Sequence, residues 1–169
     1  LKTVTGGYDG KGQFVLRSED QIDTAWAELG PAKSLIAESF VKFSREVSII
    51  AVRGQDGDVK TWALAENHHH NGILSHSIVP APNSTDLQPV AQDYITRLLN
   101  HLNYVGVLTL ELFVTEQGLY ANEMACRVHN SGHWSIEGAI CSQFENHIRA
   151  VAGLPLGATD VVRPTVMVN

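Results

Sequence analysis

Two apolar runs, VLTLELFVT from Val107 to Thr115 and LYANEMA from Leu119 to Ala125, are separated only by Glu116-Gln117-Gly118. Runs joined by so tight a turn fold back on themselves as an antiparallel hairpin, and a hairpin obliges the rest of the chain to supply partner strands. Pairing about Gln117 sets Glu111 opposite Glu123. Two carboxylates side by side repel, and a divalent cation is the simplest reason to hold them together; a solvated face with two unrelated acids is the plain alternative. The downstream residues favour the cation. Asn122 precedes Glu123, and Arg127-Val128-His129-Asn130-Ser131-Gly132-His133 comes directly after the second run.

A chain of 169 residues, 44% hydrophobic, has the size of one ordinary domain with an aliphatic core. Twelve Lys and Arg against 18 Asp and Glu give a net charge of -6. The basic residues are scattered rather than gathered along a stripe, which argues against nucleic acid or an anionic membrane as partner. Cys126 and Cys141 have neither metal-ligand spacing nor the number that a disulfide framework needs, and so point to a reducing cytoplasm. No signal peptide and no apolar run long enough to span a bilayer is evident. The chain opens on Leu1 within an expected strand and closes on the apolar run Pro164 to Asn169, the pattern expected of a piece of a longer polypeptide.

Periodicity predicts a helix from Ser18 to Gly30, with Ser18 and Gln21 as a capping box and Ile22, Ala25, Trp26 and Leu29 as its buried stripe. Leu35 to Ala37 and Arg45 to Arg53 read as strands, and Asp56-Gly57 as a hairpin turn returning into Val59 to Ala65. A helix from Asp86 to Leu102 would bury Val90, Tyr94, Leu98 and Leu102, with Pro89 in its first turn. A last helix from Ile136 to Val151 would carry Ile140, Phe144, Ile148 and Val151. Trp26 and Trp62 are expected in the core. Hairpin strands interleaved with helices give an α+β class, an antiparallel sheet covered on one face.

The cluster Gly6-Gly7-Tyr8-Asp9-Gly10-Lys11-Gly12-Gln13 leaves backbone N–H groups open to an anion, and Lys11 adds a cation at its tip. Phosphate is the natural ligand, with a flexible hairpin turn as the rival reading. It is not a Walker A loop, because Gly12 stands where Ser or Thr is required and a strand follows. Lys2 could bring a second positive charge to the same phosphates. Glu38-Ser39-Phe40-Val41 offers an apolar linker suited to adenine, and Glu46 a carboxylate that can accept from ribose hydroxyls; a surface charge beside a strand is the alternative there. Three consecutive histidines, His68 to His70, are poorly placed to converge on one ion.

The segments LKTVTGGYDGKGQ, AESFVKFSREVSIIAV, AENHHHNGIL and ANEMACRVHNSGHWSIEGAICSQFENHIRAVAGLPLG resemble, in order and across nearly the whole chain, the N5-carboxyaminoimidazole ribonucleotide synthase family of ATP-grasp ligases. HNSGHW followed by SQFENH is the most specific part; the glycine loop and paired acids are shared with ATP-grasp enzymes generally. The resemblance implies an ATP-grasp fold over residues 1–155 and the start of a truncated C-terminal β-rich domain at 156–169. It implies ATP phosphates on Lys2 and on Gly7, Tyr8, Asp9, Gly10, Lys11, Gly12 and Gln13, and adenine at Glu38, Ser39, Phe40 and Val41. Ribose would meet Glu46, with His69, Asn122 and Glu123 closing the nucleotide site. Glu111 and Glu123 would hold Mg²⁺.

On the substrate side the resemblance implies Tyr8, Arg127, His129, Asn130 and Ser131, with Asp9 and Arg127 as catalytic residues. The implied reaction carboxylates 5-aminoimidazole ribonucleotide with bicarbonate and ATP, through carboxyphosphate, in purine biosynthesis. The partners are small molecules, with no nucleic acid and no membrane, and the parent protein would be a cytoplasmic homodimer. The isolated chain would bind Mg-ATP weakly and turn over poorly. Three positions depart from the family pattern: Cys126 and Val128 where proline is common, and His70 where arginine is frequent. The alternatives are another ATP-grasp ligase, such as formate-dependent glycinamide ribonucleotide transformylase, and a nucleotide-binding module without catalysis. The transformylase family carries a serine-rich stretch in place of Gly6 to Asp9.

Overall fold

A computed structural model describes residues 1–6, 11–30 and 34–169. Two compact units emerge, one from Leu1–Lys42 with His70–Ile73, the other from Phe43–His69 with Leu74–Asn169.

In the smaller unit, β1 (Lys2–Thr3) pairs antiparallel with β2 (Leu35–Ile36), and Lys2 also bridges to Gln13. Thr3 N–H donates to the Gly12 carbonyl at 2.7 Å and Phe14 N–H to the Leu1 carbonyl at 2.8 Å. Both ends of the glycine-rich loop are thereby tied together. Gly12 sits at φ +75°, a conformation open to glycine at no steric cost. A 3₁₀ turn, Glu19–Gln21, leads into α1 (Ile22–Leu29). Ser18 makes no capping bond, and Gln21 Oε1 accepts from Arg17 N–H at 2.9 Å rather than from Ser18 N–H, so the expected capping box does not form. The expected stripe also narrows. Ala25 and Leu29 are buried, but Trp26 is 47% exposed and Ile22 lies beside it, because the small unit covers only one of two adjacent i,i+4 rows. Trp26 is therefore not a core residue.

The larger unit contributes β3 (Arg45–Arg53), β4 (Val59–Thr61), β5 (Ala65–His70), β6 (Ile73–Val79), α2 (Leu87–His101), β7 (Gly106–Thr115), β8 (Gly118–Ala125), α3 (Ser135–Gly138), α4 (Gln143–Val151) and β9 (Thr165–Val168). Their sheet runs in the order β8-β7-β3-β5-β6-β9, with β4 also on β3. β3 pairs antiparallel with β7, β5 and β4, as β7 does with β8 and β6 with β9. The antiparallel α+β expectation is met. β3 is buried on both faces, which explains its near-continuous apolar run. Val47, Ile49 and Ala51, with Leu108, Leu110 and Leu112, pack against Ala91, Ile95 and Leu99 of α2. Ile50, Val52 and Val107 meet Trp62, Trp134 and Ala150 on the other face. Among the described residues no helix is long and apolar enough to cross a membrane.

Three expectations are corrected here. The strand expected over 59–65 is two strands, broken where Trp62 enters the core and donates its indole N–H to the Cys141 carbonyl at 3.0 Å. The α2 stripe lies one residue on from the expected one: Ala91, Ile95 and Leu99 are buried, while Val90 and Leu102 are exposed. The expected helix from Ile136 to Val151 is interrupted, and Ser142 caps α4 by accepting from Glu145 N–H at 3.1 Å. Its expected inner face points outward, with Ile140 64% and Ile148 65% exposed, whereas Gln143, Asn146 and Ala150 are buried. The polar pair is buried because each amide clamps a loop. Gln143 bonds both the N–H and the C=O of His129, at 3.0 and 2.7 Å; Asn146 bonds both main-chain groups of Gly157.

Candidate functional site

β7 and β8 are joined by a two-residue turn, Glu116–Gln117, not the three-residue turn read from the sequence. Thr115 Oγ1 accepts from Gln117 N–H at 3.1 Å and donates to the Gly118 carbonyl at 3.0 Å, fixing the reversal. The ladder then runs regularly from Thr115↔Gly118 to Leu112↔Ala121 and shifts before Glu111↔Glu123, so that Asn122 is the extra residue of a β-bulge. The shorter turn alone would have set Asn122 against Glu111. The bulge restores the acidic pair.

Strand alternation gathers the site on one face of the sheet. Glu46 and Ser48 of β3, Asn67 and His69 of β5, and Thr109 and Glu111 of β7 continue the face that begins with Ile50, Ala65 and Val107. Glu123 stands opposite Glu111 and is exposed. His129 Nε2 lies 3.1 Å from Glu111 Oε1, and both side chains are largely buried. His69 Nδ1 lies 3.3 Å from Glu46 Oε2. The hydrogen bond that His69 donates to Glu46 raises the His69 pKa above its ordinary value against the opposing effect of burial, and the negative field of Glu46, Glu111 and Glu123 adds to the rise. His133 is lowered by burial and by its neighbour His129.

The segment after β8 is held as firmly as the strands. Asn130–Gly132 forms a 3₁₀ turn whose N-cap is His129. A Cβ on Gly132 would lie 2.3 Å from Ile50 Cδ1 and 2.7 Å from Gln143 Oε1, so any larger residue here must displace one or both of these buried side chains. Ser131, expected against substrate, is fully buried, with its hydroxyl 2.8 Å from Ser48 Oγ and 2.9 Å from His129 Nδ1. Arg127 and Asn130 are exposed, and Arg127 Nη1 donates to the Val128 carbonyl at 3.0 Å.

The nucleotide side can be described in part. Lys2 Nζ and Glu38 Oε2, assigned to phosphate and adenine, form an ion pair at 2.7 Å. Ser39, Phe40 and Val41 follow without regular structure, Phe40 being largely exposed. Lys11 and Gln13 flank Gly12 at the tied base of the loop. Gly7, Tyr8, Asp9 and Gly10 lie outside the described residues. His68 and His69 point to opposite faces of β5, His68 toward Glu66 and His69 toward Glu46.

Sequence reasoning missed Ser48, Asn67 and Gln143. A lone serine inside the apolar run REVSIIAV was the available signal for Ser48. Gln143 and Asn146 lie within SQFENH, a segment singled out only for its family resemblance, while the helix was read from its apolar residues.

The ATP-grasp domain matches residues 1–144. The chain belongs to the ATP-grasp family. This ATP-grasp chain is 54% identical, over its whole length and 46% of the relative's, to the N5-carboxyaminoimidazole ribonucleotide synthase of Pseudomonas aeruginosa. Its fold superposes on the N5-carboxyaminoimidazole ribonucleotide synthetase of Thermus thermophilus with a TM-score of 0.89 at 52% identity, covering 94% of this chain and 44% of that one. An N5-carboxyaminoimidazole synthase from Aspergillus clavatus, in complex with ADP and 5-aminoimidazole ribonucleotide, aligns with a TM-score of 0.88 at 32% identity over 94% of this chain and 43% of the other. The resemblance read from the motifs is thus borne out. The ATP-grasp chain spans less than half the length of these relatives.

Proposed function

We propose that the protein carboxylates 5-aminoimidazole ribonucleotide with bicarbonate at the expense of ATP, yielding N5-carboxyaminoimidazole ribonucleotide, ADP and phosphate. The observation that carries this reading is the opposition of Glu111 and Glu123 across a bulged hairpin, in a chain about half identical to synthases of that name. Two carboxylates are an oxygen donor set suited to Mg²⁺, which takes one or two protein carboxylates and completes its shell with substrate phosphates and water. When bound, Mg²⁺ supplies charge neutralisation at the phosphates.

The residues divide the remaining work. Lys2, Lys11, Gln13 and the backbone of Gly7, Gly10 and Gly12 hold the phosphates; Glu38 to Val41 receive the adenine; Glu46 and His69, already in contact, face the ribose. A bicarbonate oxygen attacks the γ-phosphorus, the bond to the β,γ-bridging oxygen breaks, and ADP leaves. The carboxyphosphate so formed releases phosphate and CO₂, and the exocyclic amine of the ribonucleotide adds to the carbon as its proton passes to Asp9. Arg127, His129 and Asn130, with Tyr8, orient the bicarbonate and the ribonucleotide. Residues 1–155 carry the nucleotide lobes in this reading, and 156–169 lead toward a further β-rich domain. Relatedness to the synthases also supports a homodimeric, cytoplasmic enzyme.

ADP release by the full-length protein is expected to require both bicarbonate and 5-aminoimidazole ribonucleotide, and to vanish in Glu123→Ala. Full activity of that variant, or release indifferent to the ribonucleotide, would overturn the reading.

A further inference from the structure

A continuous file of buried polar side chains crosses the sheet and ends on the acidic pair. Ser77 of β6, Asn67 of β5 and Ser48 of β3 are joined by bonds of 2.8 Å (Ser77 Oγ to Asn67 Oδ1) and 3.0 Å (Asn67 Nδ2 to Ser48 Oγ). Ser48 Oγ is 2.8 Å from Ser131 Oγ, Ser131 Oγ is 2.9 Å from His129 Nδ1, and His129 Nε2 is 3.1 Å from Glu111 Oε1. Ser77, Asn67, Ser48 and Ser131 are each at most 6% exposed.

The Asn67 amide sets the direction of the file: its Nδ2, which can only donate, meets Ser48 Oγ, and its Oδ1 accepts from Ser77. Ser48 donates on to Ser131 Oγ, whose own proton goes to His129 Nδ1, leaving that nitrogen without a hydrogen of its own. The backbone N–H of Ser131 reaches the same nitrogen from 3.4 Å, a long and weak bond that favours the same tautomer. Each hydroxyl in the file gives one hydrogen bond, and those of Ser48 and Ser131 also take one. At the far end the imidazole proton has only Nε2 left to occupy, where it is donated to Glu111 Oε1.

We propose that Ser77, Asn67, Ser48 and Ser131 are positioning residues that fix His129 as the Nε2–H tautomer and so orient the Glu111 carboxylate for its ligand. Gln143 supports the arrangement by clamping both main-chain groups of His129. The orientation of metal ligands by a second layer of hydrogen bonds is general; here that layer lies across three strands and a loop. Its consequence for a cation rests on the proposed role of Glu111, but the tautomer does not.

Two-bond ¹H–¹⁵N correlation spectra of the ¹⁵N-histidine-labelled full-length protein read the tautomer directly. The unsubstituted protein is expected to show His129 with a bare Nδ1 and a protonated Nε2. Asn67→Asp keeps the shape but replaces the amide donor by an acceptor. Ser48 then donates to position 67, Ser131 donates to Ser48, and the imidazole proton moves from Nε2 to Nδ1, where Ser131 Oγ accepts it. Mg²⁺ titrated with ATP present should bind that variant about tenfold more weakly. Ser48→Ala, which frees Ser131 to accept, should also populate the protonated Nδ1, so poor folding of Asn67→Asp would not spare the inference. A protonated Nδ1 in the unsubstituted protein, or a tautomer unmoved by both substitutions, overturns it. The expected tautomers without any bicarbonate-dependent ADP release would sustain the relay and sink the proposed function.

Discussion

At the scale of residues, the site combines three carboxylates with two imidazoles, and the imidazoles do different things. His129 is held by hydrogen bonds on both ring nitrogens, whereas His69 gains a charged partner in Glu46. Its pKa is higher folded than unfolded, so the stabilisation from the pair is complete below the ordinary value of 6.5 and is lost as pH rises through the raised value. In urea unfolding at a series of pH values, the unsubstituted protein should lose stability relative to His69→Asn over that interval, and parallel pH profiles would contradict the pairing. Glu46, Glu111 and Glu123 were legible one by one in the sequence because acids are rare in and beside apolar runs, whereas His69, in the polar stretch AENHHHNG, came only from the family resemblance. Ser48 and Asn67 were not legible: a lone serine inside REVSIIAV signals a buried hydroxyl, but the partners that make it part of a network lie far along the chain.

At the scale of elements, α4 shows how a helix can reverse the rule that apolar residues turn inward. Gln143 bonds two main-chain groups of His129, and its removal leaves the N–H without its partner and the carbonyl with only the Gly132 N–H. Gln143→Ala should cost about 3 kcal/mol of stability in urea unfolding, whereas Ile148→Ser, on the face that periodicity would have buried, should change it by less than about 0.5 kcal/mol. The opposite ranking would restore the sequence-based orientation of the helix. The hairpin carries a related lesson. Its acidic pair was read correctly from an incorrect turn, because a two-residue reversal and the bulge at Asn122 offset each other by one residue.

At the scale of the whole molecule, the ATP-grasp chain covers 46% of the length of the synthase from Pseudomonas aeruginosa while carrying both the tied glycine loop and the acidic pair. Calorimetric titration of this chain with Mg-ATP should therefore register weak binding with little turnover, and an absence of heat would count against the nucleotide assignments. The sequence by itself determined the antiparallel hairpins and the α+β class, which rest on short spacings and local turn chemistry, and the family, which rests on the resemblance of its motifs; it paired the two glutamates, though from the wrong turn. Only the tertiary structure decided which face of α4 and of α1 is buried, where Asn122 bulges, and which way the protons run from Ser77 to Glu111. Those outcomes depend on partners far apart along the chain, Ser48 and Ser131 being separated by 83 positions, and a periodicity of two or 3.6 residues carries no information about a neighbour at that distance.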